Sequence, residues 1–244
     1  MRLRPLVSLA VVALVAIVLG APAWAAPRPT STASPKPSAP SVTHPDSTPV
    51  DTTVAINFPG PDSTLVPNLR EGGFVLLFRH CATDWTQRDA DGENFEDRSA
   101  QRNLSKVGEE QAAGIGAAFR KLEIPVLAVL TSPMWRCRDT GQLAFGQEQP
   151  MVELFRRGAE YRAARLMLLG SELEAGQNLV LVTHQDLMVP IIEGLRRDYV
   201  KEGECLVIRP LGEATFDVVA KVTLEDWAKL AGLPAPPKIP APPR

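Results

Sequence analysis

The chain has 244 residues, with 26 Lys and Arg against 28 Asp and Glu, a formal charge of −2. That balance provides no global cationic field for a nucleic acid or an anionic membrane, and three cysteines are too few for a disulfide framework. At 45% hydrophobic and 22% charged, the composition is that of an ordinary globular protein.

Residues 1–25 read as a secretory signal peptide. Arg2 and Arg4 precede an uncharged apolar run from Val7 to Leu19, and Ala23-Trp24-Ala25 supplies the small residues a signal peptidase reads. The run is short for a membrane span, so cleavage is expected over retention as an anchor, leaving no stable span. The expected location is exported, periplasmic or extracellular. Residues 26–66 are rich in Pro, Ser and Thr. Such a stretch cannot bury enough apolar surface to offset its ordering entropy, so it is expected to be a disordered spacer and a candidate envelope tether. Residues 234–244 form a second Pro-rich segment. Between them, residues 67–233 are long enough for one domain with a good core.

Inside that interval strands and helices alternate. Gly73 to Phe78, Val126 to Thr131 and Asn178 to Thr183 are apolar runs of the kind buried on both faces of a sheet. Ser105 is a helix cap, and Val107, Gln111, Ala112, Ile115, Phe119 and Leu122 follow the helical period behind it. Further helices are predicted from Trp135 to Phe145, Tyr161 to Glu172, Asp186 to Arg196 and Leu224 to Ala231. Met151 to Leu154 reads as a short strand, and Cys205 to Ile208 and Thr215 to Val222 as late antiparallel strands. The pattern predicts an α/β three-layer sandwich with a mostly parallel central sheet flanked by helices.

In open α/β sheets, ligands bind beyond the carboxyl ends of the strands. Here those ends read Phe78-Arg79-His80, Ser132-Pro-Met-Trp-Arg136 and Thr183-His184. Of three histidines, His44 falls in the spacer, so both histidines of the domain sit at this one edge. Each residue singly has a structural reading, as a cap or an ion-pair partner. Together, two guanidiniums and two imidazoles suit an anion site with a nucleophile. Guanidinium forks match phosphate oxygens and stay charged. An imidazole titrating near about pH 6.5 is partly neutral and can attack phosphorus.

The segments Leu77-Phe-Arg-His-Cys-Ala-Thr-Asp-Trp85, Gln101-Arg-Asn-Leu-Ser-Lys-Val-Gly-Glu-Glu-Gln-Ala112, Leu130-Thr-Ser-Pro-Met-Trp-Arg-Cys-Arg-Asp-Thr140 and Leu179-Val-Leu-Val-Thr-His-Gln-Asp186 resemble, in order and spacing, those of the histidine phosphatase superfamily. The likeness covers about residues 70–222 and is to secreted bacterial members. It implies a phosphoglycerate mutase-like fold and a metal-independent phosphatase with no cofactor. By the resemblance, His80 is the histidine that becomes transiently phosphorylated. Arg79 and Arg136 hold the phosphate, His184 donates to it, and Thr83 is a further phosphate-binding candidate. The partner implied is a small phosphorylated substrate, either a phosphomonoester or a phosphoramidate.

Two departures stand out. Cys81 replaces the family's usual glycine after the Arg-His pair. Cys81 and Cys137 each adjoin a proposed site residue, and all three cysteines read as small buried apolar groups. The proton donor is also unmatched: the glutamate of the mutase branch has an arginine near its place in Val152-Glu-Leu-Phe-Arg-Arg157. In the acid phosphatase branch an aspartate directly follows the second histidine. Here Gln185 intervenes and Asp186 comes next, which makes Asp186 the candidate acid and equally a natural helix cap. The polar stretch from Asp84 to Asp97 is a candidate lid. The alternatives are a catalytically silent phosphate-binding protein on this fold, a mutase, and a metal hydrolase using His80, His184 and Asp186.

Overall fold

The computed structural model describes residues 57–90 and 94–237. The expected signal segment, most of the spacer and the end of the Pro-rich tail lie outside the described residues.

The chain order is α1 (Leu65–Glu71), β1 (Phe74–Arg79), α2 (Lys106–Leu122), β2 (Ala128–Thr131), α3 (Trp135–Phe145), β3 (Gln149–Pro150), α4 (Ala159–Leu169), β4 (Asn178–Thr183), α5 (Gln185–Met188), β5 (Cys205–Gly212), β6 (Thr215–Val222) and α6 (Leu224–Ala231). Short 3-10 turns lie at Arg98–Ala100 and Val152–Leu154. The strands form one sheet in the order β3-β2-β4-β1-β5-β6. The pairs β1–β4, β2–β4 and β2–β3 are parallel, and β1–β5 and β5–β6 are antiparallel. The expected α/β sandwich is observed: the sheet is mostly parallel, and its two antiparallel pairs are made by the late strands β5 and β6.

Alternation along β1 divides the core. Phe74, Leu76 and Phe78 pack on one face with Ile115, Phe119 and Leu122 of α2 and Trp227 of α6. Val75 and Leu77 face the other side, with Leu168 and Leu169 of α4, Met188 of α5 and Ile192 beyond it. Fully burying a side chain such as Phe78 or Leu77 stabilises the fold by roughly 1.5–3 kcal/mol each. This two-sided burial is why the central strands read as unbroken apolar runs. The Ser105 side chain accepts the Gly108 N–H at the start of α2, and Glu123, at φ 54°, ends that helix. At α6, Thr223 and Asp226 form a reciprocal capping box.

Some expectations shift. The segment Met151 to Leu154 is a 3-10 turn, and the strand precedes it at Gln149–Pro150. The predicted helix from Asp186 to Arg196 stops at Met188. Pro190 cannot donate to the helical ladder, and Gly194, at φ 70°, turns the chain. Helix α1 opens before residue 67, and Leu65 and Leu69 are buried in the core. Among the described residues, no helix is long and apolar enough to cross a membrane.

Candidate active site

Because β4 lies between β1 and β2, the carboxyl ends of three parallel strands converge. Arg79 and Thr183 are register partners on β1 and β4, and the His80 N–H donates to the Thr183 carbonyl at 3.1 Å. The next residues, His80 and His184, are thereby side by side with ring centroids 5.3 Å apart. Both are buried.

His80 Nδ1 lies 2.9 Å from the Cys81 carbonyl oxygen. A carbonyl only accepts, so Nδ1 carries the proton and Nε2 presents its lone pair. Burial, and then the Arg136 guanidinium, hold His80 well below the usual 6.5, with Arg79 and Arg102 adding to the effect. His184 is lowered in the same way, by burial first and then Arg136, His80, Arg102 and Arg79. Ser132, just past β2, lies 2.8 Å from His184 Nε2 through its Oγ and accepts the Met134 N–H at 3.3 Å. With one proton and two lone pairs, the Ser132 hydroxyl can serve His184 Nε2 as donor or as acceptor, so either neutral tautomer of His184 satisfies this contact. Cys137 Sγ approaches the same nitrogen at 3.6 Å.

The guanidiniums come from three elements. Arg79, at the end of β1, donates from one terminal nitrogen to Gln185 Oε1 at 2.6 Å and the Val200 carbonyl at 2.9 Å. Arg136, in the first turn of α3, donates to Asp89 Oδ1 at 3.0 Å and the Arg102 carbonyl at 3.3 Å. Arg102, in the Gln101-to-Ala112 segment before α2, is a third cation here, one that its local sequence does not mark as a site residue. Burial and then Arg136 lower its pKa, and its guanidinium stacks 4.3 Å from the Trp85 ring centroid. The Nε–H groups of Arg79, Arg102 and Arg136 are buried with no acceptor among the described residues. Three clustered cations with unmet donors suit an oxyanion carrying more than one charge.

The backbone after His80 is fixed from two sides. The Cys81 N–H donates to Thr140 Oγ1 at 3.1 Å, and that hydroxyl donates to the Arg136 carbonyl at 2.7 Å. The Ala82 N–H donates to Gln111 Oε1 at 3.1 Å. Cys81, Cys137 and Cys205 are buried free thiols, and burial pushes Cys81 and Cys137 up to about 12. They are protonated at any working pH.

Other sequence candidates are placed differently. Thr83 is buried, but its hydroxyl donates to Glu202 Oε1 at 3.2 Å. Asp186 lies in the first turn of α5, 42% exposed, and pairs with Arg157 at the surface. Of the polar stretch, Asp89 covers the site: it holds Arg136 and also accepts the Arg102 backbone N–H at 2.9 Å. Glu202, in the turn before β5, is a buried carboxyl beside Arg79 and Thr83, and no motif signalled it. Among the described residues, no group of three His, Cys, Asp or Glu side chains is arranged to hold a metal ion.

Among curated proteins none matches this chain. Among solved structures it is similar to SixA, a protein histidine phosphatase complexed with tungstate, at 14% identity and TM-score 0.45, covering 62% of this chain and 97% of that one. A chain from Agrobacterium tumefaciens assigned as the phosphohistidine phosphatase SixA is 21% identical at TM-score 0.44, covering 62% of this chain and 98% of that one. The alpha-ribazole phosphatase from Shigella flexneri is 14% identical at TM-score 0.43, covering 62% of this chain and 96% of that one. The model of the Histidine phosphatase superfamily (branch 1) matches residues 75–164, the stretch that carries Arg79, His80, Arg102 and Arg136. That match spans 90 of the 244 residues and makes residues 75–164 similar to the histidine phosphatase superfamily, branch 1.

Proposed function

We propose that this pocket hydrolyses a phosphomonoester or phosphoramidate through a phosphohistidine formed on His80 Nε2. The observation that carries the reading is the Nδ1 contact to the Cys81 carbonyl, 2.9 Å long, beneath a cluster of guanidiniums. It fixes the tautomer a nucleophile needs, and burial keeps the ring neutral.

In the first step Nε2 attacks phosphorus while Arg79, Arg136 and Arg102 neutralise the charge spreading over the equatorial oxygens. His184 donates a ring N–H to one of those oxygens. The leaving-group oxygen departs with a proton. In the second step water attacks the phosphohistidine, the P–N bond breaks, and inorganic phosphate leaves. Splitting the reaction this way replaces one difficult displacement with two easier ones. The cationic side chains supply the charge neutralisation that a metal provides elsewhere. We further propose that residues 1–25 direct export and that the spacer holds the domain at the envelope, on the basic-then-apolar pattern of the first segment alone.

The test is turnover of p-nitrophenyl phosphate in EDTA. The expected result is release that persists in EDTA and disappears in His80→Ala. Activity abolished by EDTA and restored by zinc contradicts the mechanism. Phosphate binding without turnover of any ester favours a silent binding protein.

A further inference from the structure

We propose that Glu202 is the acid that protonates the leaving group in this pocket, an assignment that rests on the phosphoryl-transfer reading above. The turn carrying it lies directly beneath the nucleophile. The Gly203 N–H is shared between the Arg79 carbonyl at 3.2 Å and the His80 carbonyl at 3.0 Å, and the Arg79 N–H donates to the Glu204 carbonyl at 3.1 Å. Gly203 has φ 82°, a conformation that favours glycine and lets the turn run this close.

The two carboxylates of the turn go opposite ways. Glu204 is engaged in structure: it pairs with Lys221 Nζ at 2.8 Å and accepts the Lys201 N–H at 2.7 Å. Glu202 turns into the site. Its Oε1 accepts from Thr83 Oγ1 at 3.2 Å and lies 3.7 Å from an Arg79 terminal nitrogen, with its side chain 5% exposed. It therefore bridges residues on both sides of His80 in the chain.

A carboxylate here could serve only to position Arg79, but the geometry argues for more. The separation of 3.7 Å is longer than a hydrogen bond. Arg79 is already oriented by Gln185 and the Val200 carbonyl. Burial also outweighs Arg79, Thr83 and Arg102 and raises the Glu202 pKa. A partner built for ion pairing is normally lowered instead. The charged and titratable groups facing it are Arg79 from β1, Arg102 from the segment before α2, and the Cys81 thiol, which stays protonated. On its own turn, Glu204 is paired with Lys221, and Lys201 is exposed. When a phosphate engages Arg79 and Arg102, the two cations that favour ionised Glu202 are neutralised, so substrate binding shifts the carboxyl further toward its protonated form.

The proton bookkeeping closes over both steps. As the Nε2–P bond forms and the P–O bond breaks, the Glu202 proton moves to the leaving oxygen. Glu202, now ionised, takes a proton from the water that attacks the phosphohistidine. The P–N bond then breaks, its electron pair returns to Nε2, and Glu202 is again protonated.

The experiment compares Glu202→Gln with wild type on p-nitrophenyl phosphate, whose leaving group needs little protonation, and on glycerol 2-phosphate, whose alkoxide needs it. General acid catalysis contributes roughly 10²–10⁴-fold. The expected loss on the alkyl ester exceeds the loss on the aryl ester by at least about tenfold. The fall of kcat/KM with rising pH on the alkyl ester disappears in Glu202→Gln and reappears, shifted, in Glu202→Asp. Equal losses on both esters, with the pH profile retained, mean that Glu202 only positions Arg79 and overturn the assignment alone. Turnover that survives in His80→Ala overturns the underlying reading, and this assignment with it.

Discussion

Gly108→Ala probes how rigidly the fold holds the segment after His80. Gly108 lies in the first turn of α2 against Ala82, and an added Cβ would sit 1.9 Å from the Ala82 carbonyl oxygen and 2.9 Å from its carbon. Ordinary van der Waals contact begins near 3.4 Å, so the two backbones must part by about 1.5 Å. The Ala82 carbonyl is held there by the Ser105 N–H at 3.0 Å, and the Ala82 N–H by Gln111 at 3.1 Å. Helix propensity favours the alanine by about 1 kcal/mol. Overpacking costs about 1–3 kcal/mol, and each strained buried hydrogen bond about 0.5–1.5 kcal/mol. The clash wins, with a net destabilisation of about 1–5 kcal/mol and a fall in Tm of roughly 2–4 °C per kcal/mol. Activity falls further than stability, because a 1 Å misplacement of reacting groups costs on the order of 100-fold. Gly114→Ala on the same helix is the control. Its Cβ meets nothing within 4 Å, so it stabilises by up to about 1 kcal/mol and leaves turnover intact. Thermal melts and kcat/KM on p-nitrophenyl phosphate read both. A Gly108→Ala protein as stable and active as Gly114→Ala would refute the docking of this segment on α2.

Three further outcomes follow from the site. Asp89, whose side chain is 34% exposed, competes with phosphate for Arg136. Asp89→Asn should tighten inhibition by inorganic phosphate by up to about fivefold, the equivalent of a partly exposed ion pair worth up to about 1 kcal/mol; weaker inhibition would mean that Asp89 instead organises Arg136. Arg102→Gln removes a charge-assisted donor worth about 1.5–3 kcal/mol, so phosphate inhibition should weaken by about 10–100-fold, and an unchanged constant would place Arg102 outside the anion's reach. Stability depends on pH through both histidines, whose folded-state pKa values lie well below 6.5. The unfolded chain takes up their protons first, so their contribution is fully present above about pH 6.5 and is lost as the pH falls below it. Glu202, raised in the fold, acts oppositely and loses stability as the pH rises. Thermal melts from pH 7 to pH 5 should fall, and His80→Asn/His184→Asn should flatten that slope; an identical slope in the double variant would contradict neutral burial.

The central strands were legible because strands buried on both faces must be apolar throughout, and the polar pairs that end β1 and β4 interrupt such runs abruptly. Ser105 was legible as a cap because its hydroxyl meets the Gly108 N–H one turn on. What the sequence could not carry was adjacency. That β4 lies between β1 and β2, setting His80 beside His184, is a property of crossovers far longer than any local pattern. Arg102 and Glu202 were invisible for the same reason: a charge in a turn looks alike whether the turn faces solvent or a neighbouring strand end. Asp186 had the opposite problem. Its place after His184 suggested an acid, but the first turn of α5 presents it to Arg157 at the surface.

The most direct test of the central claim is to quench a reaction with labelled p-nitrophenyl phosphate in alkali and locate the label by peptide mass spectrometry. The account predicts one acid-labile, alkali-stable phosphoryl group on His80, lost in His80→Ala and accumulating when the hydrolytic step is slowed. Label on any other residue, or rapid turnover with no covalent label at all, would contradict it.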